Sequence, residues 1–283
     1  MKMKKVFIYI ISSALALASF SACDMFRLDN FDGPDAQVTG RLLDVQTGEK
    51  IGVEAATTVG IDWSTWSYVT TVECGALVVV EQGWAGEEDQ DWLVRYDGQF
   101  TNNLIFAADY TYSTKKLPCY EPENNAITIK KGPNTLDLEL LPYCRIVEPE
   151  ITVKKDAFGN YSKIVATFKV ELTDATKANK VANVAFCGNT QIFVGCNYQN
   201  LASGDAGAKK KNVTPGTKVT LEIDMNNSKN ADLFQYTRDR YFRIAAMANG
   251  NGYNTGNNYN FSPVYRISAD FETIEEVEWT ENK

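Results

Sequence analysis

Histidine is absent from all 283 residues. That zero excludes Ser-His-Asp and Cys-His nucleophilic catalysis, HExxH metalloprotease helices and zinc sites built on imidazole. No CxxC occurs, which argues against a thioredoxin-like or metal site. Basic charge is also in short supply: Lys and Arg number 28 against 36 acids, a formal net charge of -8. An acidic body has no electrostatic footprint for nucleic acid, whose phosphates want a basic face. Long apolar runs are confined to the first residues, and no later segment is apolar enough to span a bilayer. Carboxylate pairs could still hydrolyse glycosides, but no spacing singles out a pair among the 36 acids. The expectation is a protein that is not an enzyme, with no catalytic residues, no cofactor and no metal.

What is present begins with Lys2, Lys4 and Lys5, followed by the apolar run Val6 to Cys23. A basic head, a short apolar stretch and small residues before a cleavage point make a secretory signal peptide over residues 1–22. The end of the run, Phe20-Ser21-Ala22-Cys23, resembles a bacterial lipobox, with Phe20 in place of the usual Leu, Val or Ile. The resemblance implies that the Cys23 thiol is acylated and becomes the new N-terminus, with lipid holding the body to a membrane. An ordinary signal peptide with an incidental Cys23, or an uncleaved anchor, are the competing readings. Residues 23–36 carry four aspartates, a Gly-Pro and no apolar period, so they read as a flexible tether.

From Gln37 onward the pattern is all-β. Gln37 to Val45 alternates and ends in a Gln46-Thr-Gly-Glu49 turn. Ala76 to Val80 is a continuous apolar run, expected to be a strand covered on both faces. Trp92 to Tyr96 leads into Asp97-Gly98, a hairpin signal, and on to Phe100. Leu104 to Phe106, Ala108 to Tyr112, Ile127 to Ile129 and Leu136 to Leu140 add strands. Pro142-Tyr143-Cys144 reads as a hinge. Beyond it, strands are expected at Arg145 to Lys155, Lys163 to Leu172, Val181 to Phe186, Ile192 to Val194, Lys218 to Met225, Tyr241 to Met247 and Val264 to Ile267. Leu201 to Pro215 reads as a long exposed loop, Asp232 to Asp239 as one short helix, and residues 272–283 as an acidic tail. Cys74, Cys119, Cys144, Cys187 and Cys196 remain after Cys23, an odd number in an oxidising compartment. Cys187 and Cys196 could pair across neighbouring strands. The competing reading, that several of these are buried thiols acting as small hydrophobes, is slightly favoured.

Val38-x-Gly40, Asp44, Thr47-Gly48-Glu49, Asp97-Gly98-x-Phe100 and Ala108-x-Tyr110 resemble the carboxypeptidase-regulatory-like, transthyretin-related β-sandwich, here over residues 37–142 with a Trp-rich insertion from Ile61 to Asp91. Tyr241 to Ala246, a Gly/Asn loop and Tyr259-Asn-Phe-Ser-Pro-Val264 resemble the last two strands of a fibronectin type III or immunoglobulin-like sandwich, over residues 143–271. The expected fold is two β-sandwich domains. Lipidated tether and paired sandwiches, with Glu81-Gln-Gly-Trp84 and Leu140-Leu-Pro-Tyr143, are together similar to a family of two-domain outer-membrane lipoproteins of Bacteroidota. These are encoded in polysaccharide-utilisation loci beside SusC/SusD-type transporters. The resemblance implies an outer-membrane, cell-surface location and a role in glycan capture; it implies no activity.

Sugar recognition needs flat rings for the apolar face of a pyranose and polar groups for its hydroxyls, and Trp supplies the first at low entropic cost. Trp63, Trp66, Trp84 and Trp92 fall in one window with Tyr68, and Trp84 and Trp92 border the acidic run Glu87 to Asp91. They form the first candidate platform, against the alternative that such rings plug the ends of the sandwich. The acidic run could also hold Ca²⁺, but it lacks EF-hand or RTX spacing, and solvated acids are the simpler reading. Tyr253 and Tyr259, in the open loop Asn249 to Asn260, form a second candidate. The functional expectation is non-catalytic binding of a polysaccharide or oligosaccharide near a SusC/SusD-type transporter. The alternative is a structural accessory that contacts transporter components and has no sugar site.

Overall fold

The computed structural model describes residues 33–55, 57–62, 67–72, 75–83, 88–197, 199, 201, 206–249 and 258–278, the stretches 57–62 and 67–72 by backbone alone. Among the described residues, nine strands occupy the first half: β1 (Ala36–Asp44), β2 (Thr57–Asp62), β3 (Ser67–Val72), β4 (Ala76–Glu81), β5 (Asp89–Leu93), β6 (Gln99–Ile105), β7 (Asp109–Lys115), β8 (Ala126–Thr128) and β9 (Gly132–Leu140). The chain from Ala36 onward is one compact unit, and its described residues form strands joined by loops and short helical turns. No helix among the described residues is long and apolar enough to cross a membrane.

β1 shows why this half folds as it does. Its residues alternate between buried and exposed, so Val38, Gly40 and Leu42 face inward while Gln37, Thr39 and Arg41 face out. It sits between β6, antiparallel, and β9, parallel, the latter in unbroken register from Ala36 opposite Gly132 to Asp44 opposite Leu140. A second sheet runs β5-β4-β7-β8, and β2 pairs with β3 as a separate hairpin. The two larger sheets close on a shared core of Val38, Leu42, Leu77, Val79, Trp92, Phe100, Tyr110, Ile127 and Leu138. Each such side chain contributes about 1.5–3 kcal/mol by leaving water. The Asp97-Gly98 turn forms as the sequence predicts. Gly98 adopts φ +79°, and Arg95 N–H bonds to the Gln99 carbonyl at 2.7 Å. On β4 the cover is uneven: Leu77 and Val79 are buried, whereas Val78 and Val80 are only half-buried.

The second half holds β10 (Cys144–Lys155), β11 (Tyr161–Leu172), β12 (Lys180–Asn189), β13 (Lys209–Val213), β14 (Val219–Asp224), α1 (Ala231–Phe234), β15 (Arg240–Asn249), β16 (Asn260–Phe261), β17 (Val264–Ile267) and β18 (Ile274–Val277). One sheet is β10-β11-β14; the other is β13-β12-β15-β17-β18, with β16 also pairing β15. Ile164, Ala166, Phe168, Leu221, Ile223, Phe186, Phe242 and Ile244 fill the space between them.

Four expectations are corrected here. Ile192 to Val194 is a loop; its apolar residues pack on a neighbouring surface instead of joining a ladder. The expected loop from Leu201 contains β13, whose three exposed lysines suit an edge strand because they discourage further pairing. The expected helix at Asp232 to Asp239 is instead a 3-10 turn at Ser228–Asn230 running into α1. The expected acidic tail contains β18, paired to β17 from Val264 opposite Val277 to Ile267 opposite Ile274.

Pro142 to Cys144 does not behave as a free hinge. Tyr143 and Cys144 are buried, Tyr143 N–H bonds to the Pro118 carbonyl, and Cys144 N–H bonds to Asn260 Oδ1 at 3.1 Å. The reason lies in β12 and β15, which are buried on both faces. Phe186, Phe242 and Ile244 point into the second core, while Ala185, Cys187 and Ala245 point the other way, into a third cluster with Tyr96, Val194 and Phe261. Small side chains on that back face let the first half approach closely. Arg243, also on that face, is 2% exposed and holds three carbonyl oxygens: Nε to Ser262 at 2.7 Å, Nη1 to Val53 at 2.9 Å and Nη2 to Tyr96 at 2.8 Å. Its guanidinium lies over the Phe261 ring, 4.5 Å from the centroid. Burial lowers its pKa to about 10, opposed by the charge of Glu54, so it remains a cation at neutral pH. Gly52 is required alongside it, because a Cβ there would lie 2.1 Å from Arg243 Nη2.

Candidate functional site

Where the two halves meet, they leave an open cleft of about 750 Å³. One wall is the end of β1 and its turn, Leu43 to Gly52; the other is the start of β10, Cys144 to Pro149, with β17 and β18 closing the side. The lining is mixed: Leu43, Ile146, Val147 and Val277 are half-buried apolar side chains, Asp44, Asn260 and Ser262 are buried polar ones, and Glu49, Glu148, Glu276 and Glu278 are exposed acids. Apolar side chains beside polar and charged groups can meet both the ring and the hydroxyls of a sugar.

The rim is ordered by ion pairs. Arg145 Nε pairs with Asp44 Oδ2, while Nη2 reaches Asp44 Oδ1 at 2.8 Å and Gln46 Oε1 at 2.7 Å. Lys50 Nζ meets Glu278 Oε1 at 2.9 Å. Burial pushes the Tyr265 hydroxyl up to about 12, with the charge of Glu276 adding to it. Glu276 itself is held above the usual carboxylate range by partial burial, then by the like charges of Glu278 and Glu49. Among the described residues no cluster of three metal-ligating side chains could hold an ion.

Asp44 gives this rim an acid-sensitive contact. Burial works to raise its pKa, but the Arg145 and Gln46 hydrogen bonds and the Arg145 charge outweigh it, and the net direction is down. A carboxylate lowered below its unfolded value of about 3.9 contributes stability that is complete above that pH and lost as pH falls through the folded value. Melting curves of the native protein and Asp44→Asn between about pH 6 and pH 2 are expected to converge toward acid. A constant gap between them would show that the pair contributes nothing.

The sequence candidates are placed unevenly. Cys23, Trp63, Trp66, Trp84 and Tyr253 lie outside the described residues, as does the Tyr68 side chain, whose backbone belongs to β3. Trp92 is 2% exposed. It packs against Phe100 and Tyr110 at centroid distances of 6.0 and 6.4 Å, so it is a core ring and presents no face to a ligand. The physical reason is alternation: Asp91 and Leu93 face outward on β5, which turns Trp92 in. Tyr259 is half-buried beside Phe261, 6.3 Å between centroids, and burial raises its hydroxyl to about 12. Its ring belongs to the junction cluster. The cleft is not legible as a set in the sequence, since its residues run from 41 to 278. A usable signal was Asp44 and Arg145, charged residues set in apolar strand patterns.

No protein-family model matches this chain, and no curated protein matches it. Among solved structures the chain is similar to a "putative carbohydrate binding protein" from Bacteroides uniformis, at 28% identity and TM-score 0.66, over 83% of this chain and 100% of that one. It shares its fold with a DUF3823 family protein from Parabacteroides merdae, at 20% identity and TM-score 0.63, over 83% of this chain and 99% of the other. A DUF3823 family protein from Bacteroides ovatus is also similar, at 19% identity and TM-score 0.59, with the same coverage.

Proposed function

We propose that this chain binds glycan without catalysis, as a lipoprotein anchored through Cys23 in the outer membrane and serving polysaccharide capture beside a transporter. In this reading residues 37–142 are the regulatory-like sandwich and 143–271 the immunoglobulin or fibronectin type III-like one. The observation that carries it is the likeness, over the whole of that protein's length, to the Bacteroides uniformis protein. The cleft adds a place of suitable size and chemistry, since small-ligand sites occupy about 300–1,000 Å³. A lipid anchor would hold such a site at high local concentration along the membrane, so weak contacts per sugar suffice.

Binding to a polysaccharide panel, read by affinity electrophoresis or a glycan array, tests the function. The double variant Glu276→Gln, Glu278→Gln is expected to weaken binding about tenfold or more, equivalent to about 1.4 kcal/mol. Phe158→Ala, at an exposed hairpin tip 89% open to solvent, is expected to leave it unchanged. Silence across the panel combined with co-purification of a transporter would favour the structural accessory. Binding that ignores the double variant would move the site to the Trp window.

A further inference from the structure

We infer that Cys187 and Cys196 form a disulfide that staples residues 190–196 to the back of β12, beneath the junction between the two halves. The two sulfurs stand 3.6 Å apart, against about 2.05 Å in a formed bond, a gap that small side-chain rotations can close. Cys187 is fully buried on β12, and Cys196 is half-buried at the end of the loop. This loop is the stretch that the sequence pattern makes a strand and that has no ladder to hold it. It is held by Asn189, which receives Gln191 N–H at 3.1 Å and donates to the Phe193 carbonyl at 3.3 Å, and by the Phe193 ring, edge-on to Tyr96 at 5.5 Å.

The loop matters because of what it carries. Cys196 N–H donates to Glu54 Oε2 at 2.9 Å and Asn197 N–H to the same oxygen at 3.3 Å. Glu54 is a buried acid from the first half, and its charge offsets the desolvation of Arg243. Fixing Cys196 therefore fixes the donors of the carboxylate that faces the junction cation. The hydrogen bond shared with Cys187 and burial both raise the Cys196 thiol well above its ordinary range, so the folded, reduced pair has little thiolate of its own.

Closure needs an oxidant of the disulfide class, such as glutathione disulfide or an exchange protein bearing a Cys–Cys bond. Cys196, the more accessible sulfur, attacks the donor and forms a mixed disulfide, releasing the first donor thiol. Cys187 then attacks the Cys196 sulfur and releases the second. Two protein thiols are oxidised, one donor disulfide is reduced to two thiols, and both protons leave on the donor. The inference rests on the sulfur geometry and is independent of glycan binding.

The test uses the full chain, reduced with dithiothreitol, then incubated or refolded with glutathione disulfide. Alkylation under denaturing conditions and peptide mapping follow. The oxidised protein is expected to be lighter by two hydrogen atoms, with one linked peptide pair containing Cys187 and Cys196. Amide exchange at Cys196 and Asn197 is expected to slow about tenfold or more on oxidation. Cys187→Ser is expected to retain glutathione on Cys196 instead of closing. Free thiols at both positions after oxidative refolding, or a bond from either to Cys74 or Cys119, would overturn the pair. A closed bond that leaves the exchange of Cys196 and Asn197 unchanged would overturn the staple.

Discussion

Arg243→Met is expected to lower the thermal midpoint by about 10 °C, the largest effect of any substitution at the junction. The guanidinium donates to carbonyl oxygens of Ser262, Val53 and Tyr96, so one side chain ties the second half to two separate segments of the first. Methionine keeps much of the volume and none of the donors. A hydrogen bond from a charged donor contributes about 1.5–3 kcal/mol, and three share one buried site, so a non-additive total of about 3–5 kcal/mol follows. That is a large fraction of a domain stability of about 5–15 kcal/mol. Arg243→Lys keeps the charge but cannot fork to three acceptors, and is expected to fall between the two. Differential scanning calorimetry decides it. A loss under about 2 °C for Arg243→Met would mean that water or side-chain rearrangement replaces the donors.

Trp92→Ala is expected to cost about 3–5 kcal/mol, the usual toll of emptying an aromatic site in a core. Trp92→Phe should be far milder. The indole Nε1 has no hydrogen-bond partner among the described residues, so removing it forfeits no such bond, and the smaller ring still meets Phe100 and Tyr110. The practical outcome concerns binding assays. Any glycan affinity lost in Trp92→Ala is expected to return in Trp92→Phe, with the two variants tracking their melting points. A Phe variant that melts like the native protein but fails to bind would put the ring in contact with ligand after all.

The two substitutions mark where sequence reading succeeded and where it stopped. Period-two alternation located β1, because one of its faces meets a core and the other meets water. The same rule turns Trp92 inward, since it lies between outward-facing neighbours, whereas the clustering of tryptophans along the sequence suggests an exposed platform. β13 and β18 are not legible in the sequence, because edge strands carry lysines and glutamates, which hide the pattern. The junction was hardest to read. Tyr241-Phe-Arg-Ile-Ala-Ala246 is an apolar strand interrupted by one arginine, and the interruption is intelligible only when a second surface is known to cover that face. The cleft depends on that packing too, which joins residues separated by most of the chain.

The parallel pairing of β1 with β9 has a mechanical consequence. The chain enters β1 at Ala36, opposite the first residue of β9, and leaves β9 at Leu140, opposite the last residue of β1. Tension applied ahead of Ala36 and beyond Leu140 would therefore pull these neighbours lengthwise in opposing directions. Every rung of the ladder then resists together instead of opening one after another like a zipper. A chain pulled from these two ends is loaded in shear along the whole β1–β9 ladder.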